Sequence, residues 1–348
     1  MLATNTDLAA RWDRLRDEKP TLRIRDAAAS LGVGEAELVA LGTGRAATPL
    51  DGDWRAILNE MPGVGRVMCL TRNEDCVHER HGRFEDVRVT GPHGLVLGPD
   101  IDLRLFLGQW KTGFAVREPL KGGERLSLQF FDASGDAVHK IYATGETDRA
   151  AFDALIMRHT AAQPPVLAFA ARAADPVDRP DDEIDVEGLR TAWRNMRDTH
   201  EFFGMLGKFD VGRVQALRLV GDAFARELPA RALRRALEAA AEDKTPIMIF
   251  VGNRGCIQIH TGRIAHLLDT HGWLNILDPD FNLHLRDSAV ARVFSVRKPT
   301  DDGIVTSIEA FDRRNRNILL MFGERKPGKP ELEPWRAIVA RIEKQAAS

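Results

Sequence analysis

One stretch of this chain occurs twice, and this repeat constrains the fold more than any other feature. Residues 73–119 return at residues 253–299 with a constant offset of 180 positions and no gap. The matched positions include Asn73/Asn253, Cys76/Cys256, Gly82/Gly262, Arg83/Arg263 and Pro119/Pro299. Because an ungapped match over roughly sixty positions is typical of duplication, the sequence predicts two similar folding units.

The two copies differ at several charged positions. Arg104 corresponds to His284, Glu118 corresponds to Lys298, and Gly145 corresponds to Arg325. Two copies of one scaffold that carry different side chains indicate a ligand that meets the two halves asymmetrically.

The order of the patterns predicts an α+β fold. In each half, helical patterns come first, then short β-rich runs separated by polar or glycine-bearing turns, then a closing helix. Strands joined this closely must be antiparallel, so each half is expected to be an antiparallel sheet flanked by helices. We predict an N-terminal repeat at 1–165, a linker rich in Pro, Ala and Asp at 166–184, and a C-terminal repeat at 185–348.

The composition excludes several classes of protein. With 44% hydrophobic residues, 29% charged residues and a net charge of −2, nothing favours general binding to nucleic acid or to acidic membranes. No stretch approaches the roughly eighteen apolar residues of a membrane span, and the N-terminus has no apolar signal region. The three cysteines form no CxxC pair, which fits a reducing compartment. We expect a cytoplasmic protein without stable membrane insertion.

A histidine stands out in the helical pattern at 186–208. Leu189, Trp193 and Met196 follow at intervals that place them on one helix face, and His200 continues this apolar stripe. Two interpretations are open. His200 is either a core or edge histidine bonded to a carbonyl, or a metal ligand presented from an apolar wall, as a flat metal macrocycle requires.

Four isolated basic residues form the second candidate set: Arg104, Arg213, Lys298 and Arg325. Each alone is typical of a solvated or ion-paired surface residue. Together they suit a ligand with carboxylates, because Arg and Lys bind such groups through charge-assisted hydrogen bonds.

These residues lie in motifs that cover much of the chain: Asp198-Thr-His200-Glu-Phe-Phe, Ile101-Asp-Leu-Arg104-Leu-Phe, Val296-Arg-Lys298-Pro-Thr and Phe322-Gly-Glu-Arg325-Lys-Pro-Gly. With the tandem duplication, the sequence resembles the haemin-degrading factor, or cytoplasmic haem-transport, family of bacterial haem uptake systems. The resemblance implies haem as the ligand, held in a cleft that involves both halves.

The resemblance also implies a role for each candidate residue. His200 would be the proximal iron ligand, and Arg104, from the other repeat, would lie on the distal side. Arg213, Lys298 and Arg325 would line the pocket and hold propionates or polar edges.

The aromatic positions complete this picture and also show a departure from the family. Phe250 would contact the porphyrin ring. Relatives often carry a polar residue and a tyrosine where this chain has Leu320 and Phe322. The chain therefore lacks the hydrogen bonding that those groups would supply, although Phe322 can pack on the macrocycle.

Three functions remain open from the sequence. The first is a haem-binding protein of iron acquisition that passes haem to a downstream haem oxygenase or exchanges it at the cytoplasmic face of a haem importer. The second is a haem-degrading, haem oxygenase-like enzyme that uses dioxygen and a reductant.

The third function is nucleic-acid binding through a helix-turn-helix pattern at 24–42, where Ala28, Gly32 and Leu38 have the required spacing. Its second helix begins with two glutamates and carries no basic or amide side chain that could reach bases or phosphates. This reading is therefore the most distant of the three.

Overall fold

The structure is a computed structural model that describes residues 2–120, 122–163, 167–325 and 328–347. The chain forms two compact units. Unit 1 consists of Met1–Arg72, Glu79–Ala173 and Gly252–Gln258, and unit 2 consists of Asn73–His78, Ala174–Val251 and Ile259–Ser348. Each unit therefore includes one short segment from the other half of the sequence.

The repeat boundaries predicted from the sequence, at 1–165, 166–184 and 185–348, stay a prediction. Residues 164–166, at the first of these boundaries, lie outside the described residues. Among the residues that the structure describes, no helix is both long and apolar enough to cross a membrane.

Unit 1 is built from antiparallel strands with helices packed against them. Its helices in the described chain are α1 Leu2–Glu18, α2 Ile24–Leu31, α3 Glu35–Ala40, α4 Trp54–Glu60 and α5 Arg149–Arg158. Its strands are β1 Ala47–Pro49, β2 Gly65–Arg72, most of β3 Cys76–Arg83, β4 Asp86–Thr90, β5 His93–Leu97, β6 Asp102–Phe106, β7 Thr112–Leu120, β8 Gly123–Phe131 and β9 Ala137–Thr147.

The strands of unit 1 pair in the order β1–β7–β8–β9–β2, and β4, β5 and β6 form an antiparallel meander. Helices α4 and α5 bury Ile57 and Phe152 against one face of the five-stranded part. Helix α3 buries Val39 with Phe114 and Val116 on the opposite face. Side chains alternate between the two faces of a strand, so both faces acquire a core.

Unit 2 repeats this architecture. Its helices are α6 Val186–Arg194, α7 Glu201–Phe209, α8 Arg213–Leu219, α9 Ala232–Glu242 and α10 Glu333–Ala347. Its strands are β10 Ala225–Leu228, β11 Ile247–Gly252, most of β12 Cys256–Gly262, β13 Leu267–Thr270, β14 Trp273–Leu277, β15 Phe281–Leu285, β16 Arg292–Thr300, β17 Gly303–Phe311 and β18 Asn317–Gly323.

The strands of unit 2 pair in the order β10–β16–β17–β18–β11, with β13, β14 and β15 as an antiparallel meander. Helices α9 and α10 pack with Ile249 and Ile308 on one face. Helices α6, α7 and α8 pack with Phe294 and Val296 on the other face. This second face carries the candidate site.

The strand registers confirm the predicted duplication. In unit 1, Ser127 pairs with Val116 and with Tyr142. In unit 2, Ser307 pairs with Val296 and with Phe322, each 180 positions later. The predicted α+β class and the antiparallel sheets are confirmed as well.

The helix-turn-helix pattern is present and also occurs twice. Helix α2 is followed by its C-cap residue Gly32, which has a φ of 71°, and then by α3. Helix α7 is followed by its C-cap residue Asp210, which has a φ of 48°, and then by α8. Because both pairs turn through one left-handed residue, the pattern is part of the duplicated scaffold.

The single helix predicted over 186–208 is wrong. Helix α6 ends at Arg194, and α7 begins only at Glu201. Between them, the carboxylate of Asp198 accepts a hydrogen bond from the backbone N–H of His200 at 2.8 Å. Aspartate side chains that bond to the local backbone in this way compete with helix continuation.

Candidate functional site

The start of α7 presents an imidazole to solvent. His200 is the N-cap residue of this helix, and its side chain is 88% exposed. Its Nδ1 lies 2.6 Å from Oδ1 of Asp198, the same oxygen that accepts from the His200 backbone. These hydrogen bonds, the backbone one first, lower the pKa of Asp198. An ionised carboxylate only accepts, so Nδ1 carries the hydrogen and Nε2 keeps its lone pair for an external partner.

This position corrects one expectation about His200 and narrows the two interpretations of its role. Met196 is buried and ends the apolar stripe, because the helix stops before it. His200 therefore does not continue the stripe, and that expectation was wrong. The exposure of its ring excludes a core histidine. The interpretation as a metal ligand stays a prediction.

Beside α6–α8, the same sheet face carries an apolar platform of four half-buried side chains, Met248, Phe250, Leu320 and Phe322. Phe250 pairs with Leu320 across β11 and β18, and Met248 pairs with Phe322. The rings of Phe250 and Phe322 lie 5.1 Å apart in an edge-to-face contact. A half-exposed apolar surface on a sheet suits a broad, flat ligand.

A group of charged and polar side chains lies next to the apolar platform. We call it the Glu309 cluster, and it consists of Arg213, Lys298, Ser307 and Glu309. Oε2 of Glu309 accepts from Nε of Arg213 at 2.8 Å. Oε1 accepts from Nζ of Lys298 at 2.8 Å and from Oγ of Ser307 at 3.0 Å. Glu309 is fully buried, and Lys298 is 3% exposed.

The Glu309 cluster shifts the pKa of its own members. Burial alone would raise the pKa of Glu309, but Arg213 and Lys298 outweigh it and lower that pKa to about 2. Burial lowers the pKa of Lys298, and Glu309 offsets only part of that effect. The carboxylate is therefore ionised at neutral pH and holds both cations.

Helix α7 lies over the Glu309 cluster. The ring centroid of Phe202, two residues after His200, is 4.3 Å from Nζ of Lys298 and 5.0 Å from the guanidinium carbon of Arg213. The next residue, Phe203, is 64% exposed. Cation–π contacts thus fix the helix that carries His200 against the cluster.

Arg325 lies near the same helix start. Its charge helps to lower the pKa of Asp198, and one of its nitrogens is 3.9 Å from the carboxylate of Asp302. Its Nε is buried, and within the described part of the chain it has no hydrogen-bond acceptor. A buried donor without an acceptor is costly, so this group is ready to bind an anion. The next two residues of the motif, 326 and 327, lie outside the described residues.

Arg104 belongs to unit 1. It lies on β6, its side chain is 33% exposed, and its guanidinium is bonded to the carboxylate of Asp102. Its predicted place on the distal side, and the predicted cleft that involves both halves, stay predictions.

The structure thus brings six of the seven predicted site residues together in unit 2: His200, Arg213, Phe250, Lys298, Phe322 and Arg325. Two further residues, Asp198 and Glu309, were missed as contributors. The Asp-x-His spacing is typical of an aspartate that bonds to the backbone two residues on, which could have identified Asp198. Glu309, between Ile308 and Ala310 in a strand, could have been recognised as a charge within an apolar run.

Comparison with known proteins identifies the family to which the chain is similar. The haemin-degrading HemS.ChuX domain matches the chain twice, over residues 32–159 and 210–342. Hemin transport protein HmuS of Yersinia pestis is 39% identical over 97% of this chain and 98% of its own length.

Two solved structures cover nearly the whole chain. Holo-PhuS, a heme-binding protein from Pseudomonas aeruginosa, is 47% identical with a TM-score of 0.94, over 97% of this chain and 99% of that chain. The heme degrading enzyme ChuS of Escherichia coli O157:H7 is 40% identical with a TM-score of 0.91, over 97% and 99%. With both halves matched and relatives similar over nearly their full length, the chain belongs to the haemin-degrading HemS.ChuX family.

Proposed function

We propose that this protein binds haem in the cytoplasm as part of bacterial haem and iron acquisition. The observation that carries the proposal is the arrangement at the start of α7. There, an exposed imidazole held by Asp198 lies on the helix that covers the Glu309 cluster, beside the apolar platform. Membership of the family and the haem-related names of the relatives support it.

His200 is the proposed axial ligand of the haem iron, through Nε2. The hydrogen bond from Nδ1 to Asp198 orients the ring and fixes the tautomer that leaves Nε2 free, as carboxylate partners of metal-bound histidines do. Bound haem supplies the iron centre, and the chain supplies this ligand and the surrounding surface.

The remaining residues fit the other parts of a haem molecule. Phe250 and Phe322 offer aromatic surface to the ring. Arg213, Lys298 and Arg325 offer positive charge to the propionates, with the unpartnered Nε of Arg325 as a ready donor. Lys298 is almost completely buried against Phe202, so it acts on a propionate through the Glu309 cluster, whereas Arg213 is partly exposed.

The first test is a titration of the purified protein with haemin, followed by absorbance. We predict that the wild type gives the Soret spectrum of a histidine-bound haem. His200→Ala should lose that spectrum and bind haemin at least about tenfold more weakly. An unchanged spectrum and affinity would remove His200 from the site.

His266→Ala is the matched control for this test. His266 is also exposed, and its Nδ1 and backbone N–H also bond to one aspartate, Asp278, at 2.7 and 3.0 Å. Its substitution should leave haemin binding unchanged.

A second candidate function is haem degradation with dioxygen and a reductant, because ChuS, described as a heme degrading enzyme, is similar over nearly the whole chain. The test is to incubate the haem complex with ascorbate, in air and without oxygen. Ring opening in air that persists with added catalase would support the enzyme. A reaction that catalase abolishes would indicate damage by peroxide and support the carrier.

As a carrier, the protein would pass haem to a downstream haem oxygenase or exchange it at the cytoplasmic face of a haem importer. A nucleic-acid partner is not part of the proposal, since the helix pair α2–α3 has a counterpart in α7–α8, at whose start the proposed haem ligand His200 lies. Mixing the haem-loaded protein with a haem oxygenase, and following the Soret band during transfer, tests the first of these partners.

A further inference from the structure

Glu309 contacts two cations of the proposed haem site, the buried Lys298 and the partly exposed Arg213. Its Oε2 is bonded to Arg213, and its Oε1 to Lys298 and Ser307, at 2.8 to 3.0 Å. None of these bonds is exposed to solvent, because Glu309 itself has no exposed surface. A carboxylate with this many donors holds them in one geometry.

The Glu309 cluster carries more positive than negative charge. It contains two cations, Arg213 and Lys298, and one carboxylate, so it has a surplus of one positive charge in a buried place. A surplus buried charge is unfavourable unless another group offsets it. One carboxylate from a ligand would bring the cluster to neutrality.

Arg213 is the member that can reach such a ligand. Its side chain is 16% exposed, compared with 4% for Lys298. Its Nε and Nη2 both lie 2.8 Å from Oε2 of Glu309, and the face of the guanidinium lies 5.0 Å from the ring of Phe202. The guanidinium of Arg213 is planar, so these contacts with Glu309 and Phe202 fix its orientation. The N–H groups on its remaining edge can then donate to a carboxylate of the ligand.

We propose that Glu309 is a positioning residue that orients Arg213 and Lys298 so that the Glu309 cluster receives one carboxylate of the ligand. This inference rests on the proposed haem function, and it adds a residue that does not touch the ligand itself.

Unit 1 provides an internal contrast. At the offset of 180, the positions equivalent to Lys298 and Glu309 hold Glu118 and Gln129. Arg213 is the first residue of α8, and the corresponding helix α3 begins with Glu35. There, Glu35 is bonded to the buried Lys140 as a simple pair. This balanced pair lacks the surplus positive charge, so unit 1 supplies a control in the same scaffold.

The experiment compares two probes, haemin and haemin dimethyl ester, in which both carboxylates are blocked. The measured quantity is the ratio of the dissociation constants, ester over free acid, by Soret titration. In the wild type, we expect the free acid to bind more tightly. In Glu309→Gln, the ratio should fall about tenfold while the histidine-bound Soret spectrum remains.

Glu35→Gln is the matched control, because it makes the same change beside a buried lysine in unit 1. It should lower the melting temperature and leave the ratio at the wild-type value. A general loss of stability would weaken both probes equally, so the ratio separates positioning from destabilisation.

Two outcomes would overturn the proposal: an unchanged ratio in Glu309→Gln, or a higher ratio, which would mean that Glu309 competes with the ligand. If Glu309→Gln does not fold, Ser307→Ala removes one hydrogen bond to Oε1 and should lower the ratio about twofold. An unchanged ratio in that variant would overturn the proposal instead. If the wild type does not give the histidine-bound Soret spectrum when haemin is added, the proposed function itself is rejected, independently of Glu309.

Discussion

Asp198 holds His200 through one carboxylate oxygen that accepts two hydrogen bonds, and the two bonds have different consequences. The bond from the backbone N–H, at 2.8 Å, ends the turn before α7, and the bond from Nδ1, at 2.6 Å, orients the ring. An amide oxygen can keep the first bond. It is a weaker acceptor for the second, because it carries no charge.

We therefore predict that Asp198→Asn keeps the wild-type melting temperature and binds haemin about tenfold more weakly. Asp198→Ala should lose both the affinity and some stability, since it removes the backbone bond as well. Parallel haemin titrations and thermal melts of the two variants measure this separation. Equal haemin affinity in Asp198→Asn and the wild type would show that the side-chain bond does not matter.

A second histidine gives a prediction for stability. His159 is buried and bridges two carboxylates, with Nδ1 at 3.0 Å from Asp51 and Nε2 at 3.1 Å from Glu60. Burial alone would lower the pKa of His159, but its bonds to Glu60 and Asp51 outweigh burial and raise that pKa above 6.5. Only the protonated ring can donate to both carboxylates.

Because the folded pKa is raised, His159 contributes its full stability below about pH 6.5 and loses it as the pH rises through the folded pKa. We predict that His159→Gln lowers the free energy of unfolding by about 1 kcal/mol at pH 5.5 and by clearly less at pH 8.5. Urea unfolding at both pH values measures the difference. His93→Gln, at an exposed histidine of unit 1, should show no such dependence.

At the scale of elements, the equivalent strands β3 and β12 both carry a glycine, Gly82 and Gly262, but the structure requires glycine for a different reason at each position. At Gly82, a Cβ atom would lie 2.4 Å from the Cβ of Asp100, which a salt bridge to Arg80 holds in place. At Gly262, the nearest contact would be an ordinary 3.7 Å, but φ is 139°, where other residues are strained. Sequence identity between repeats therefore does not mean an identical cause.

We predict that Gly82→Ala and Gly262→Ala each destabilise the protein by about 1–3 kcal/mol. The causes can be separated, because Asp100→Gly removes the Cβ that collides at position 82. Added to Gly82→Ala, it should recover part of the loss measured by thermal melting. No recovery would show that the contact is not the cause.

The sequence predicted the duplication and the antiparallel sheets well, because identical spacing and short alternating runs report directly on scaffold and pairing. It was wrong about the helix over 186–208. Periodicity shows which residues can share a helix face, but not that a local side chain, here Asp198, interrupts the helix.

The identity of the candidate site residues was easier to predict from the sequence than the contacts that surround them. His200, Lys298 and Phe322 stood out by type and position, and the structure places them in one unit. Lone basic residues indicated carboxylate binding, but no pattern indicates that two of them share a buried glutamate. That information lies in strand register, because Glu309 contacts Lys298 from a neighbouring strand.

At the scale of the whole molecule, the two halves of the sequence are not independent folding units. Unit 1 includes residues 252–258, and unit 2 includes residues 73–78. In unit 1, Trp110 donates from Nε1 to the carbonyl of Gly255 at 2.9 Å, and Cys256 is completely buried in the core. A fragment cut at the predicted end of the first repeat lacks these partners.

We predict that a fragment of residues 1–165 unfolds at a clearly lower temperature than unit 1 does in the full chain, and with less cooperativity. The loss of a hydrogen-bond partner for buried Trp110 costs about 1–3 kcal/mol, and the missing Cys256 leaves a cavity that adds to it. Differential scanning calorimetry measures the effect.

A peptide of residues 250–260 is the control. Added in excess, it should raise the melting temperature of the fragment. The same peptide with Gly255→Val should not, because a Cβ atom at this position would lie 2.7 Å from the side chain of Val138. A fragment that melts cooperatively at the temperature of the intact protein, with or without the peptide, would mean that the exchanged segment contributes little to unit 1.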